Sequence, residues 1–446
     1  MFYLIETKDQ LDKFSEYNLD RCFLEVIHFN PQCHHLISPV SLVYLKPFRS
    51  RAGFIFCIDH TEGFKLDIDD VWSLISKKTN QIFVNDGKKA FAYPLPHDRV
   101  FCLKTAKYLM SEEIYDESKY NTAAHSYFYQ RYPLRQDINR LIPISKHYEK
   151  CENMFKDVKL KDEWFKYKYF RFYNHIGNYV FSEIERQGIT IDKAKLDEHF
   201  KLKNDSFSID DNGKIYTQYN LFTQTGRPSN KFNGINFAGM EKSSGTREFI
   251  IPGNDVLVEF DYSSYHLRIL CEIIGFEFED DDIHTSLAKL YFDTDTITEE
   301  QYDISKGITF KIIYTDTPFN DYEKIPFISK VREFKDDQWK VFQDKGFVES
   351  WISKRPIRNI NNKTQILPYL LQNYETERNI LILNDLVSYL QFKKTKLILY
   401  TYDSFLFDYA KSDSKSTLKE IEEILEQGGY KTSCTYGSNY AAMKLI

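Results

Sequence analysis

The segment from Val256 to Ile274 constrains this chain more than any other. Val256-Leu257-Val258 is an apolar, β-branched run that predicts a buried strand. Leu267, Leu270, Cys271 and Ile274 then fall at helical spacing, with Ser263 and Ser264 as candidate N-caps. Asp261 is therefore expected where a core strand gives way to a helix. A rigid carboxylate at a sheet's rim, beside backbone carbonyls, is suited to hold a metal ion. The plainer alternative is an Asp that only caps the helix. A second Asp bears on the choice. Leu397 to Thr401 and Phe405 to Tyr409 are apolar or aromatic runs around Asp403-Ser404, which predicts a β-hairpin with Asp403-Ser404 as its two-residue turn. An ordinary surface turn is the alternative there.

With 446 residues the chain has room for two or three domains, and 32 Tyr and 36 Phe supply ample core material. No apolar run reaches the roughly 20 residues of a membrane span, so no membrane association is expected. The start of the chain lacks the pattern of a signal peptide. The seven cysteines are scattered and contain no CxxC pair. They are expected to be reduced thiols in a cytoplasmic protein without structural zinc. The net charge of −6 argues mildly against nucleic-acid binding, although the distribution of charge decides that question.

Residues 1–150 are expected to form one α/β unit. Strands are predicted at Cys22–Ile27, Gly53–Ile58 and Gln81–Asn85, and a helix over Asp67–Lys78 with Val71, Leu74 and Ile75 on one face. Residues 131–168 are expected to be helical in parts. A helix broken at Gly188 belongs to a connector over 151–215, and residues 216–446 are expected to form one large domain.

Inside that domain the order of motifs is informative. Thr225-Gly226-Arg227 comes first, then the strand ending at Asp261, then Asp282-Ile283-His284. Lys306, Phe310 and Tyr314 follow at intervals of four, which places them along one helix face. A cation and two aromatic rings in a row suit a nucleoside triphosphate. A core stripe with a snorkelling Lys is the alternative. Gln372 opens a further long helix before the Asp403 hairpin.

In this order the chain resembles a family A DNA polymerase of the bacterial polymerase I type, in a small phage-like version. Asp261, Tyr262, Ser263, Leu267 and Arg268 match the family's first palm motif, D-Y-S-x-x-E-L-R; Lys306, Phe310 and Tyr314 match its fingers motif; Tyr402-Asp403-Ser404 stands at its H-D-E. The resemblance implies an α/β fold with an α+β palm: a right-hand polymerase with palm, fingers at about 283–350 and a reduced thumb, preceded by a ribonuclease H-like, exonuclease-type domain. It implies two Mg²⁺ ions on Asp261, Asp403 and the Tyr262 carbonyl, with Lys306, Phe310, Tyr314 and His266 on the dNTP. Arg227, Gln372 and Thr225 are implied on primer-template DNA.

The departures are specific. His266 replaces the Glu that pairs with the fingers Tyr and helps exclude ribose, Tyr302 replaces an Arg, and Ser404 replaces the final Glu. Two carboxylates, Asp261 and Asp403, are left to carry the metals. The segment between Asp192 and Thr225 is far shorter than the family's thumb, which implies weak DNA grip and a processivity or replisome protein partner. In the first region Glu25 is the sole acid of the first exonuclease motif, and Lys89 stands where the second Asp belongs. That implies an inactive exonuclease-like domain kept for structure or partner contact; a domain that never was an exonuclease is the alternative. The leading expectation is a template-directed DNA polymerase without proofreading. An RNA-synthesising or primase-like relative and a non-catalytic replication scaffold are the alternatives.

Overall fold

The computed structural model describes residues 2–28, 34–58, 66–111, 153, 167–200, 209–232, 234–278, 282–315 and 322–445. Most of the expected helical region at 131–168 lies outside them. The chain divides into two units: 1–218 with 231–235, and 219–230 with 236–446. The expected connector over 151–215 is thus part of the first unit in its described portion.

The first unit is built on a six-stranded sheet in the order β1-β4-β3-β2-β5-β6. The strands are β1 (Phe2–Ile5), β2 (Arg21–His28), β3 (Val40–Pro47), β4 (Gly53–Cys57), β5 (Gln81–Val84) and β6 (Val100–Cys102). β2, β3 and β4 run antiparallel, whereas β5 pairs parallel with β2 and β6 parallel with β5. The helices include α1 (Lys8–Phe14), α2 (Ile68–Lys78), α3 (Gly87–Phe91), α4 (Leu103–Ser111) and α5 (Asn178–Gln187), with further short ones at Lys168–Arg171 and Lys193–His199. Val71, Trp72 and Ile75 of α2 are buried, and its N-cap Asp67 accepts from the Asp69 amide. α5 lies on α3: Lys88 pairs with Glu185, and the Ser182 hydroxyl donates to the Lys88 carbonyl (3.0 Å). α5 ends at Gly188, whose φ of 63° is the left-handed geometry glycine tolerates, and a Cβ there would meet the Tyr216 ring at 2.9 Å.

Three buried histidines sit in this unit. Burial pushes His28 down to about 4, with a smaller opposing effect from the Ser38 carbonyl. Burial and then Lys88 push His34 down to about 3, and burial and then His34 push His35 well below its ordinary value. His34, His35 and Glu185 bring ligand atoms within 4.8 Å of one another. However, Lys88 already neutralises Glu185, and Lys88 and Lys89 both repel positive charge at His34, so the group is a core of neutral imidazoles. Because their folded pKa values lie below the unfolded value, protons favour the unfolded chain once pH falls below about 6.5. Each of His28 and His34 is expected to cost roughly 2 kcal/mol of stability by pH 5. Hydrogen exchange at β2 and β5 amides should therefore accelerate between pH 7 and pH 5 beyond the intrinsic pH trend. Unchanged protection would contradict it.

The second unit is organised on a five-stranded antiparallel sheet in the order β8-β9-β7-β10-β11. These are β7 (Val256–Tyr262), β8 (Lys396–Thr401), β9 (Ser404–Tyr409), β10 (Thr432–Gly437) and β11 (Lys444–Leu445). β7 is central, and Leu257, Val258 and Phe260 are buried on its two faces. Phe260 meets Phe407 edge to face at 5.9 Å, and burying such a ring contributes about 2–3 kcal/mol. The helices are α6 (Tyr265–Ile274), α7 (Ile283–Phe292), α8 (Glu299–Tyr314), α9 (Pro326–Lys345), α10 (Ile366–Leu390) and α11 (Lys415–Leu425). α10 begins six residues before Gln372, where the sequence signal had placed its opening, because Leu367, Leu370 and Leu371 are already core. Among the described residues no helix is long and apolar enough to cross a membrane.

Candidate active site

Asp261 lies on β7 opposite Ser404 of β9, and the Tyr262 amide donates to the Asp403 carbonyl (3.0 Å). Asp261 on β7 and Asp403 in the turn that leads into β9, far apart in sequence, are thus tied together. α6 starts at Tyr265 with Ser264 in the left-handed region (φ 55°), and Ser264 makes no side-chain cap bond. Asp261 therefore belongs to the strand and does not cap the helix. The hairpin turn differs from expectation. Thr401 pairs with Ser404, so the turn residues are Tyr402-Asp403 and Ser404 is already strand. Tyr402 takes the positive φ (67°) that a tight hairpin turn demands. It is held there by Asn379, which donates to its carbonyl (2.8 Å), and by the Arg227 guanidinium 3.7 Å over its ring.

Burial first, then Asp403, pushes the Asp261 carboxyl up to about 7. Asp403 is raised as well, by burial first and then Glu375. Two carboxylates that oppose each other's ionisation attract a cation, and the Lys242 ammonium stands 3.8 Å from Asp261. The donors are all hard oxygens, which fit Mg²⁺ or Mn²⁺ rather than a soft metal. The Tyr262 hydroxyl is committed to the Leu425 carbonyl (2.5 Å), which leaves the backbone carbonyl of Tyr262 for a metal.

A cleft of about 440 Å³ opens beside Asp403. One face of α8 lines it with Lys306, Phe310 and Tyr314, as their spacing predicted. Phe310 is 54% exposed and stacks on Tyr314 (5.7 Å, 16°), so an apolar ring face is open to the cleft. Lys306 rests its ammonium over Tyr302 (4.4 Å), the residue standing for the expected Arg. His284 also lines the cleft.

His266 sits at the cleft's inner end. Its Nδ1 is 2.5 Å from the Tyr314 hydroxyl and its Nε2 3.1 Å from Glu375 Oε2. With Nε2–H donating to the carboxylate, Nδ1 accepts from the Tyr314 O–H. Glu375, 1% exposed, is gripped on both oxygens by Arg227 (3.2 and 3.3 Å). The sequence reading missed Glu375; its signal, a charge at helical spacing from core residues of α10, is visible only once the partner Arg227 is known. Arg227, expected on DNA, is tied into this network. Thr225, also expected on DNA, is buried and donates to Gln372 (3.3 Å), while Asn373 donates to the Thr225 carbonyl (2.8 Å). Gln372 remains half-buried. Of the three expected DNA contacts, Thr225 is thus a support for Gln372, because its side chain faces α10.

An antiparallel sheet with paired aspartates at its rim, facing a helix that presents a cation and two aromatic rings, defines a polymerase-type palm and fingers. The chain belongs to DNA polymerase family A, whose model matches residues 192–434. It is similar to DNA polymerase I of Caldicellulosiruptor bescii, 27% identical over 248 residues (47% of this chain, 29% of that protein). It is similar also to DNA polymerase I of Lactococcus lactis, 25% identical over 256 residues (48% and 28%). The chain thus spans less than a third of the length of these curated relatives. Among solved structures it resembles the POL domain of Pol1 from M. smegmatis in complex with DNA primer-template and dNTP, with a TM-score of 0.71 over 99% of both chains. At 12% identity that likeness is one of fold.

Proposed function

We propose that the chain is a template-directed DNA polymerase that adds dNTPs to a primer 3′ end. The observation that carries this reading is the pairing of β7 and β9, which sets Asp261 opposite Ser404, the neighbour of Asp403, while Asp403 lines a cleft with Lys306, Phe310 and Tyr314. Two divalent cations on Asp261, Asp403 and the Tyr262 carbonyl would activate the primer hydroxyl and neutralise the leaving pyrophosphate. Lys306 binds the triphosphate, and Phe310 offers its open face to the base. Tyr314, held by His266, closes on the sugar. Gln372 meets the duplex, and Arg227 acts from behind by fixing Glu375 and Tyr402.

The first unit is read as an exonuclease-type domain that has lost its chemistry. Its strand order β4-β3-β2-β5-β6, with an antiparallel trio followed by two parallel strands, supports a ribonuclease H-like origin. Glu25 and Lys89 do not supply the carboxylates that two metals need. The short segment between Asp192 and Thr225 supports low processivity for the chain alone and a protein partner that holds the duplex.

Primer extension with Mg²⁺, with dNTPs and rNTPs in separate tubes and Asp403→Asn as control, tests the proposal. Extension by dNTPs that the variant loses is the expected result. Extension by rNTPs alone would transfer the reading to an RNA-synthesising relative, with His266 as the reason. No extension in either tube, at high protein and low salt, would leave a replication scaffold.

A further inference from the structure

We infer that Glu375 sets the hydrogen-bond polarity of the nucleotide cleft: through His266 it makes the Tyr314 hydroxyl an acceptor towards a sugar hydroxyl of the substrate. This rests on the reading of the cleft as a nucleoside triphosphate site and deepens it. A phenol hydroxyl has one proton to donate and lone pairs with which to accept. Where that proton points decides what the group offers a ligand. The Tyr314 hydroxyl lies 2.5 Å from His266 Nδ1, and Tyr314 lines the cleft. Burial first, then Glu375, pushes its phenol up to about 12, so the proton stays on it at neutral pH.

The imidazole between the two residues has nitrogens with opposite duties. His266 Nε2 lies 3.1 Å from Glu375 Oε2, and a carboxylate oxygen only accepts. Arg227 already meets both oxygens of Glu375 (3.2 and 3.3 Å), so the carboxylate needs a donor at Nε2 and not a second cation. The ring proton therefore sits on Nε2, Nδ1 is left as an acceptor, and Tyr314 donates to it. The phenol oxygen then turns only lone pairs to the cleft. A sugar hydroxyl that reaches it gains a hydrogen bond, and a group of equal size without a proton does not. Glu375 is 1% exposed, so it acts through His266 and Tyr314 as a positioning residue.

Equilibrium binding of free nucleotides to the full chain, with Mg²⁺ and without DNA, tests this. dATP is compared with its 3′-fluoro counterpart and ATP with its 2′-fluoro counterpart, because fluorine keeps roughly the size of a hydroxyl and lacks its proton. At the position that meets Tyr314, the wild-type chain is expected to bind the hydroxyl about tenfold more tightly. Tyr314→Phe keeps the ring and should remove the preference. Glu375→Gln, whose amide can turn either end to His266, no longer dictates the tautomer, and the preference should fall to about threefold or less. A role for Glu375 in stability alone would weaken hydroxyl and fluoro nucleotides alike and leave their ratio at the wild-type value. That result in a folded Glu375→Gln chain would overturn the inference, as would equal binding of hydroxyl and fluorine at both positions by the wild type. Primer extension reports separately on the polymerase reading: a chain that shows the preference but extends no primer would refute that reading alone.

Discussion

Asp261→Asn is expected to lower primer extension by about 10³-fold or more, since several kcal/mol of charge stabilisation would leave with the carboxylate. The pH dependence should change with it. Burial and Asp403 hold the Asp261 carboxyl at about 7 in the metal-free fold. Below that value a proton occupies the group and a divalent ion must displace it. In the wild-type chain the Mg²⁺ concentration for half-maximal extension should therefore rise about fivefold as pH falls from 7 to 6. Metal binding to Asp261→Asn should lose that part of the slope. The sign for stability is opposite to that of an ion-paired acid. An acid whose folded pKa is raised weakens the metal-free fold as pH climbs from its unfolded value towards 7. Asp261→Asn should thus melt at a higher temperature than wild type at pH 8 without metal, and added Mg²⁺ should narrow the gap. Full extension by the variant, or a lower melting temperature, would refute this account.

Arg227→Met is expected to have the largest effect on stability. Arg227 grips both oxygens of a Glu375 carboxylate that is 1% exposed, and lies over the Tyr402 ring at 3.7 Å. Removing the cation strands a buried charge, which costs about 3–5 kcal/mol. It also releases Tyr402 from the face that holds its positive φ, so the Asp403 turn loosens. Glu375→Gln in the same chain removes the stranded charge and should recover a large part of the loss. Urea unfolding of the two single variants and the double gives the coupling directly. A loss below about 1 kcal/mol for Arg227→Met would mean that water reaches Glu375 and the pair is ordinary surface chemistry.

Local patterns carried much of this molecule. The apolar run into Asp261 and the helical spacing after it predicted β7 and α6, and intervals of four predicted the face of α8 that lines the cleft. What the sequence hid depends on residues far apart. The register of β9 on β7 decides that Ser404 is strand and that Tyr402 turns. Nothing near 403 in the chain announces it, because Tyr is a poor residue for positive φ and is held there by Arg227 and Asn379. Thr225 is implied on DNA by the motif it belongs to, and only its bonds with Gln372 and Asn373 of α10 show that its side chain faces inward. Glu259 and Glu375 are charges inside apolar segments, and such a charge shows that a partner exists without showing which. In the first unit β1 and β3 were likewise invisible, since β1 has its place only beside β4, and β3 only between β4 and β2.

One line of contacts runs from Tyr314 through His266, Glu375 and Arg227 to Tyr402, the residue next to Asp403. Under the proposed function its two ends would serve different tasks: the choice of sugar at one, the placing of a reactive carboxylate at the other. They cannot drift independently. Under that function, a change at position 266 would also disturb the turn beside Asp403, and a stiffer turn would narrow what the cleft accepts. Selectivity and rate would then be tied to one set of contacts.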